Sequence, residues 1–382
     1  MIKVGILSNN HYPNLGGMEF ANHFLAKSLN GHVDCSVSVA CGSLKGVPED
    51  FYYPYSCYRA KSFSYLSQYL HLVNQKKMIK NEQINILHGA AFHEGGYQAI
   101  NLSKKMDIPF VAQSHGSDVQ FVPDAGYGAL TFSENKTKIK SAIKFSRKII
   151  AVSSINKKNI IDFGCEPDKI EVIHNGCQFD EIQNVPLKSM KDRYGIKPDD
   201  FVLISVGSDR SVKRIELLFK ALEKLKDIKQ IKCICVGPGQ DFKNLAIKYD
   251  VENKVIITGK VPKSGFNKPP PFPDLINLYR ASNVYVSTSY VEAFSLAAVD
   301  ALASGCPIVV GKRHGVKDVL TENKNGWIMD KDTPEELTDL IMLLYKQKDA
   351  LKDEKPKIIE SVSHLSWDNI AKQMIDLYRR IL

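Results

Sequence analysis

Three short segments carry residues whose types and spacing suit chemistry on an anionic or hydroxyl-rich ligand. Gly16-Gly17-Met18-Glu19 opens a helical stretch after the first apolar run. Adjacent glycines let backbone N–H groups approach an anion or a sugar at a helix N-terminus; a tight strand-to-helix turn would use them equally well. Gly207-Ser208-Asp209-Arg210-Ser211-Val212-Lys213-Arg214 follows another apolar run and sets Arg210, Lys213 and Arg214 at the expected start of a helix. Positive charge there opposes the helix macrodipole. A phosphate or diphosphate seated between the cations removes the conflict, and a solvated basic turn is the other reading. On the first of these readings only an anion makes the site of Lys213 favourable, so Lys213→Ala should leave stability unchanged or slightly raised. In the third segment Glu292 follows a buried strand, and Ser295 is placed to cap the next helix, which leaves the amides of Phe294, Ser295 and Leu296 open to a phosphate. Asp300 lies among alanines, Val299 and Leu302. A carboxylate in so apolar a helix needs hydrogen-bond partners; a pair of ligand hydroxyls supplies them, and a solvent-facing helix edge is the alternative.

These segments need a scaffold that brings loop residues together. The chain has 382 residues, 44% of them apolar and 24% charged, which suits two globular domains rather than one. Short β-branched runs at 2–7, 33–40, 84–87, 110–113, 148–152 and 170–173 read as buried strands alternating with helical stretches. Around 184–200 the apolar signal weakens and Lys, Asp and Pro accumulate, which reads as the interdomain linker. A second series then follows at 201–206, 232–236, 255–258, 284–287 and 307–310. Strand–helix alternation predicts parallel, doubly wound sheets. The expectation is therefore two Rossmann-like α/β domains, 1–185 and 186–365, with the helix at 366–382 joining the first. Ligands of such sheets bind beyond the carboxyl ends of the strands, which is where all three segments fall, facing a cleft between the domains. The Pro269-Pro270-Pro271 run within 263–273 reads as a rigid surface loop.

Other classes are set aside on composition. The eight cysteines show no paired C-x-x-C spacing, and Cys233 and Cys235 share one face of a strand; reduced thiols of a cytoplasmic protein are expected. No His, Cys and carboxylate cluster has metal-ligand spacing. No run approaches the roughly 20 apolar residues that span a bilayer, and the opening residues read as a strand rather than a signal peptide. The excess of 51 Lys and Arg over 42 Asp and Glu is spread over both halves, which speaks against nucleic acid as a partner. It suits anionic small molecules and an anionic membrane surface alike. Eight aromatics between Phe51 and Tyr69, followed by Lys76, Lys77 and Lys80, suit sugar stacking or a lipid headgroup surface, or else a core beneath a loop.

Taken in order, these residues resemble a group 1 (family 4) glycosyltransferase of the GT-B fold over essentially the whole chain. The likeness runs from Gly16-Gly17-Met18-Glu19 and Asn30-Gly31-His32-Val33 through His115-Gly116-Ser117-Asp118, His174-Asn175-Gly176 and the basic loop. It continues in the E-x7-D segment from Glu292 to Asp300 with its S-G-C-P-I-V tail, in Asn325-Gly326, and in a final helix carrying Trp367 and Tyr378-Arg379-Arg380. The resemblance implies transfer of a sugar from a nucleotide diphosphate sugar, UDP- or GDP-linked, with retention of configuration and no obligatory metal or bound cofactor. Lys213 would contact the donor diphosphate, Glu292 the donor sugar hydroxyls, the amides of Phe294, Ser295 and Leu296 the distal phosphate, and Asp300 the ribose. Gly16 and Gly17 would line the phosphate side from the first domain, and His115 would face the reacting sugar.

Three positions depart from the family pattern. Asp300 stands where the family usually has Glu, Ser208 where Arg often follows Gly, and Arg214 where Gly is common, so Arg210 or Arg214 is left to replace the missing guanidinium. The implied acceptor is a saccharide or a lipid-linked glycan, bound by the first domain, which is free to contact the inner face of a membrane. A nucleotide-sugar epimerase of similar fold and a silent nucleotide-sugar-binding protein are the alternatives.

Overall fold

A computed structural model describes the chain except residues 15, 43–46, 48–50, 61–66, 209 and 262–269. The basic-loop Asp209, the aromatics Phe63 and Tyr65, and Pro269 with most of its loop thus lie outside the described residues. The chain divides into two compact units, one comprising Met1–Gly176 with Trp367–Leu382 and the other Cys177–Ser366. Each is a parallel α/β domain of Rossmann type. Residues 184–200, where the apolar signal weakens, belong to the second unit and include the short helix Met190–Tyr194, capped by Ser189.

The first unit is built on seven strands: β1 (Ile2–Ser8), β2 (Cys35–Cys41), β3 (Ser56–Arg59), β4 (Ile86–Ala90), β5 (Phe110–Ser114), β6 (Lys148–Ala151) and β7 (Ile170–Val172). Their spatial order is β3-β2-β1-β4-β5-β6-β7, all parallel. In β1 the side chains of Val4, Ile6 and Leu7 are wholly buried, because helices cover both faces of a parallel sheet. Val4 sits opposite Val37 of β2 and Ile86 of β4. A core of Leu7, Phe92, Phe110, Ile139, Ile149 and Ile160 lies under one face.

Helix Trp367–Ile381 packs on this same unit, burying Trp367, Ile370, Met374, Ile375, Leu377 and Tyr378. Trp367 fills the space beside Gly176, where a Cβ would come within 2.6 Å of its indole. The Tyr378 hydroxyl lies 2.6 Å from Nδ1 of the buried His88.

The second unit holds β8 (Phe201–Val206), β9 (Ile231–Val236), β10 (Val255–Gly259), β11 (Val284–Ser287), β12 (Ile308–Gly311) and β13 (Gly326–Met329) in the order β10-β9-β8-β11-β12-β13. Phe201, Leu203, Leu218, Phe219, Leu222, Phe242 and Trp327 form its core.

In both sheets the chain leaves the first strand toward one edge and later returns to its other side. β1 connects to β2 but is flanked by β4, and β8 connects to β9 but is flanked by β11. Such reversals open a crevice at the carboxyl ends of the two central strands. Among the described residues no helix is long and apolar enough to cross a membrane.

Candidate functional site

In the second unit the β8/β11 crevice is closed by two loops tied to each other. After β8 the chain makes a single 3-10 turn, Ser211–Lys213, and helix Ile215–Lys224 starts beyond Arg214. Arg214 separates the two by adopting the left-handed conformation, φ +48°. The Thr288 hydroxyl donates to the Lys213 carbonyl at 2.9 Å, and the Tyr290 amide donates to the Val212 carbonyl at 2.8 Å. These bonds hold the turn so that the Lys213 ammonium pairs with the Glu292 carboxylate.

Glu292 is itself fixed on every side. Its amide donates to the Arg313 carbonyl at 3.1 Å, and its carbonyl accepts from the Gly315 amide at 2.9 Å. The Ser289 hydroxyl donates to its Oε1 at 3.0 Å. Beside it the fully buried His314 donates from Nε2 to the Ser289 carbonyl at 3.1 Å, and its Nδ1 has no partner. Burial by itself would raise the Glu292 carboxyl, but the Lys213 ammonium, the His314 ring and the hydrogen bonds from Lys213 and Ser289 hold it below the ordinary carboxylate range. Burial lowers His314 in spite of the Glu292 carboxylate beside it.

Two sequence expectations are corrected here. Lys213 stands outside the helix, two residues before its first turn, and an intramolecular carboxylate already balances its charge. Its removal therefore strands Glu292 instead of relieving repulsion, and stability should fall. Ser295 does not cap helix Leu296–Ala303: it occupies the N-cap position with φ +88° and makes no side-chain cap bond. Leu296 is the first residue of that helix, whose leading amides have no intrahelical acceptor. Phe294 is buried.

The arginines separate by role. Arg210 is exposed and donates from Nε to the Ser208 hydroxyl at 3.1 Å. Arg214 donates from Nη2 to the Asp332 carbonyl at 3.0 Å and lies 3.9 Å from its carboxylate. Arg313 pairs with the same carboxylate and stacks 4.0 Å from the Tyr290 ring centroid. Asp300 is half-buried beside Tyr279 and Cys177, and loss of solvent raises its carboxyl to about 7. The buried Tyr279 hydroxyl has no partner.

The first unit holds the remaining expected residues. Gly17 begins helix Gly17–Asn30, and Gly16, extended at φ −172°, precedes it. A Cβ on Gly16 would meet the Glu19 carboxylate at 2.1 Å, whereas one on Gly17 would meet nothing within 4 Å. His115 follows β5; neither of its ring nitrogens has a partner, and burial, with His88 nearby, lowers it to about 3. In the same segment Gly116 takes φ +100°, and the buried Asp118 accepts from the Ser114 hydroxyl at 2.6 Å, the Gly116 amide at 3.1 Å and the Phe92 amide at 3.0 Å. Asp118 thereby shapes the turn that presents His115. Of the aromatic run, Tyr55 is core, its hydroxyl 2.7 Å from His11 Nε2 and 2.6 Å from His23 Nδ1, while Tyr52 and Tyr69 are exposed.

Thr288, Ser289, Arg313, His314 and Asp332 lie at the site without having been singled out from the sequence. Each lies in a loop after a strand, and that position is the only signal that would have found them.

Residues 188–362 match the family model for group 1 glycosyl transferases, and residues 15–181 match that for glycosyltransferase family 4. The chain is similar to an uncharacterized glycosyltransferase of Methanocaldococcus jannaschii, 26% identical over 299 residues, covering 73% of this chain and 71% of that protein. It is also similar to a D-inositol 3-phosphate glycosyltransferase of Nocardioides, 23% identical, over 63% of this chain; this chain spans only 55% of that protein's length. In structure it resembles sucrose-phosphate synthase of Thermosynechococcus elongatus, with a TM-score of 0.82, 16% identity and coverage of 100% and 99% of the two chains. Anabaena HepE in complex with UDP aligns with a TM-score of 0.77 and 18% identity over 99% of this chain and 100% of that one.

Proposed function

The chain belongs to the group 1 and family 4 glycosyltransferases of the GT-B fold, and on that premise we propose that it moves a hexosyl group, with retention of configuration, from a UDP- or GDP-linked sugar to a saccharide or lipid-linked acceptor in cell-surface glycan synthesis. The observation that carries the proposal is the Lys213–Glu292 ion pair at the β8/β11 crevice. It offers an ammonium to a diphosphate and a carboxylate to sugar hydroxyls. Both are held by backbone bonds that a ligand need not rearrange.

The roles follow from where charge develops. As the glycosidic bond breaks, negative charge grows on the diphosphate. Lys213 and the leading amides of helix Leu296–Ala303 stabilise it; Arg210, exposed, supplies the further guanidinium, since Arg214 is engaged by Asp332. Preorganised donors of this kind are worth several kcal/mol. Glu292 orients the donor sugar, and Asp300 takes the ribose hydroxyls. The departing phosphate oxygen takes the acceptor proton, so no side-chain base is required. With that charge supplied by the chain itself, turnover should survive exhaustive chelation. Eight free cysteines support a reducing, cytoplasmic setting, with the acceptor met at the inner membrane face.

The test is transfer from a panel of UDP- and GDP-sugars, with nucleotide binding followed by thermal shift. Lys213→Ala and Glu292→Gln are each expected to lower kcat by roughly 10²–10³, and Glu292→Gln should bind free nucleotide within threefold of the parent. Lys213→Ala should also melt lower, because the Glu292 carboxylate loses its ion partner. Turnover of either variant within threefold of the parent overturns the assignment, as does loss of activity in chelator restored by Mg²⁺. Sugar isomerised without any acceptor would indicate an epimerase, and nucleotide binding without turnover a silent binding protein.

A further inference from the structure

The first unit has its own crevice, between the carboxyl ends of β1 and β4, and the roles assigned above leave its floor unexplained. After β4 the chain makes a π-helical turn, Ala91–Gly96, rather than a loop. The turn lies directly on the end of β1: a Cβ on Gly95 would come within 1.9 Å of the Leu7 carbonyl. It projects His93 and Glu94 side by side, with Nε2 and Oε1 3.7 Å apart and side chains only 19% and 17% exposed. The Asn9 backbone, just past β1, hydrogen-bonds the Glu94 carboxylate. Oε2 of Glu94 is buried with no hydrogen-bond partner, as is Nδ1 of His93; both nitrogens of His115, beyond the neighbouring strand β5, are in the same condition.

Buried polar atoms without partners are costly and are normally satisfied, so several grouped at a switch-point crevice mark a place for ligand polar atoms. The sign of the surroundings selects the ligand. Glu19 and Asp118 lie near enough to Glu94 to raise its carboxyl further, beyond the effect of burial. The cation that bears on His93 is Lys138, and burial keeps the ring neutral in spite of Asp118. An anion would meet three carboxyl groups. A hydroxyl can donate to Glu94 and accept from His93 at once.

We propose that the β1/β4 crevice binds an uncharged sugar ring through paired hydroxyls, with Glu94 and His93 as its specificity-determining residues and phosphorylated sugars excluded. The inference deepens the glycosyl-transfer reading and rests on it only for calling the bound sugar a substrate.

Saturation-transfer NMR on the full chain tests it, using methyl α-D-glucopyranoside, methyl α-D-galactopyranoside and methyl α-D-mannopyranoside, with glucose 6-phosphate as the charged comparison. At least one neutral glycoside is expected to bind the parent protein. Glu94→Gln should weaken it at least tenfold while leaving the nucleotide-induced thermal shift unchanged. Glucose 6-phosphate should bind at least tenfold more weakly than its neutral counterpart. Should Glu94→Gln fail to fold, His93→Gln is read in the same way. Binding that persists with nucleotide sugar present assigns the crevice to the acceptor; binding displaced by nucleotide sugar but not by nucleotide assigns it to the donor's sugar. No binding by any glycoside, as when water alone fills the crevice, overturns the proposal. So does affinity within twofold in both variants, or preference for the phosphate. If nucleotides give no shift while glycosides bind through Glu94, the crevice stands and the transferase reading falls.

Discussion

Arg214 is a residue in a glycine's conformation. Its φ of +48° costs an L-residue roughly 1–2 kcal/mol, and part of that is returned by its hold on Asp332. Comparing Arg214→Ala with Arg214→Gly isolates the backbone, since both lose the guanidinium. The glycine variant should be the more stable by about 1 kcal/mol, read as a higher melting temperature; equal melting, or alanine ahead, would mean the turn relaxes out of the left-handed region. Asp300 makes the second prediction at this scale. Loss of solvent moves its carboxyl from an ordinary 3.8 to about 7. Between those values the folded chain keeps a proton that the unfolded chain releases, so stability should decline as pH rises through that window. Nucleotide affinity should do the opposite, rising through about pH 7, because the ionised carboxylate is the form that accepts two ribose hydroxyls. Asp300→Asn should remove both slopes relative to the parent, checked by melting and by calorimetric titration with UDP and GDP from pH 5 to 8. Unchanged slopes would take Asp300 out of the nucleotide site.

At the scale of elements, the glycines of the π-turn and of the first helix make opposite predictions. Gly95→Ala would push a methyl group against the Leu7 carbonyl and the Ala90 amide, backbone that cannot step aside. It should cost about 3 kcal/mol, a melting decrease of roughly 6–12 °C for a domain of this size. Gly17→Ala meets open space and should melt no lower than the parent. Neither outcome is legible in the sequence. The central strands are legible because β1, β8 and β11 are short β-branched runs buried on both faces. The edge strands β3 and β13 are not: Ser56, Cys57, Tyr58 and Arg59 are all at least partly exposed, and β13 opens on Gly326 and holds a single β-branched residue, Ile328, so neither leaves a β-branched apolar run. The π-turn is too short to establish any period. At the site, Lys213 and Glu292 stand out by type and position, but their pairing joins residues 79 apart and comes only from the parallel sheet. His314 shows no local pattern, being a partner of the Ser289 carbonyl brought there by β12.

At the scale of the molecule, the second unit is one continuous stretch, whereas the first needs residues from both sides of it. Helix Trp367–Ile381 buries seven side chains in the first unit. At about 1.5–3 kcal/mol for each large apolar one, that is comparable to the whole stability of a typical domain. A fragment of residues 177–366 should therefore unfold cooperatively and be stabilised by nucleotide. A fragment of residues 1–176 should not fold until a peptide of residues 367–382 is added. Circular dichroism melts of the three samples check this, and a cooperative transition in residues 1–176 alone would show the helix to be dispensable.

The same division sets the order of events at the ribosome. Between Gly176 and Trp367 lie the 190 residues of the second unit, and at about 5–20 residues per second their synthesis takes roughly 10–40 s. Throughout that interval the first sheet has emerged but lacks the indole that covers Gly176 and the hydroxyl that meets His88. The half that begins first is completed second. Over that time the nascent sheet exposes the apolar surface that Trp367, Ile370 and Met374 will later cover, which makes it a substrate for holding chaperones for as long as translation of the inserted unit lasts.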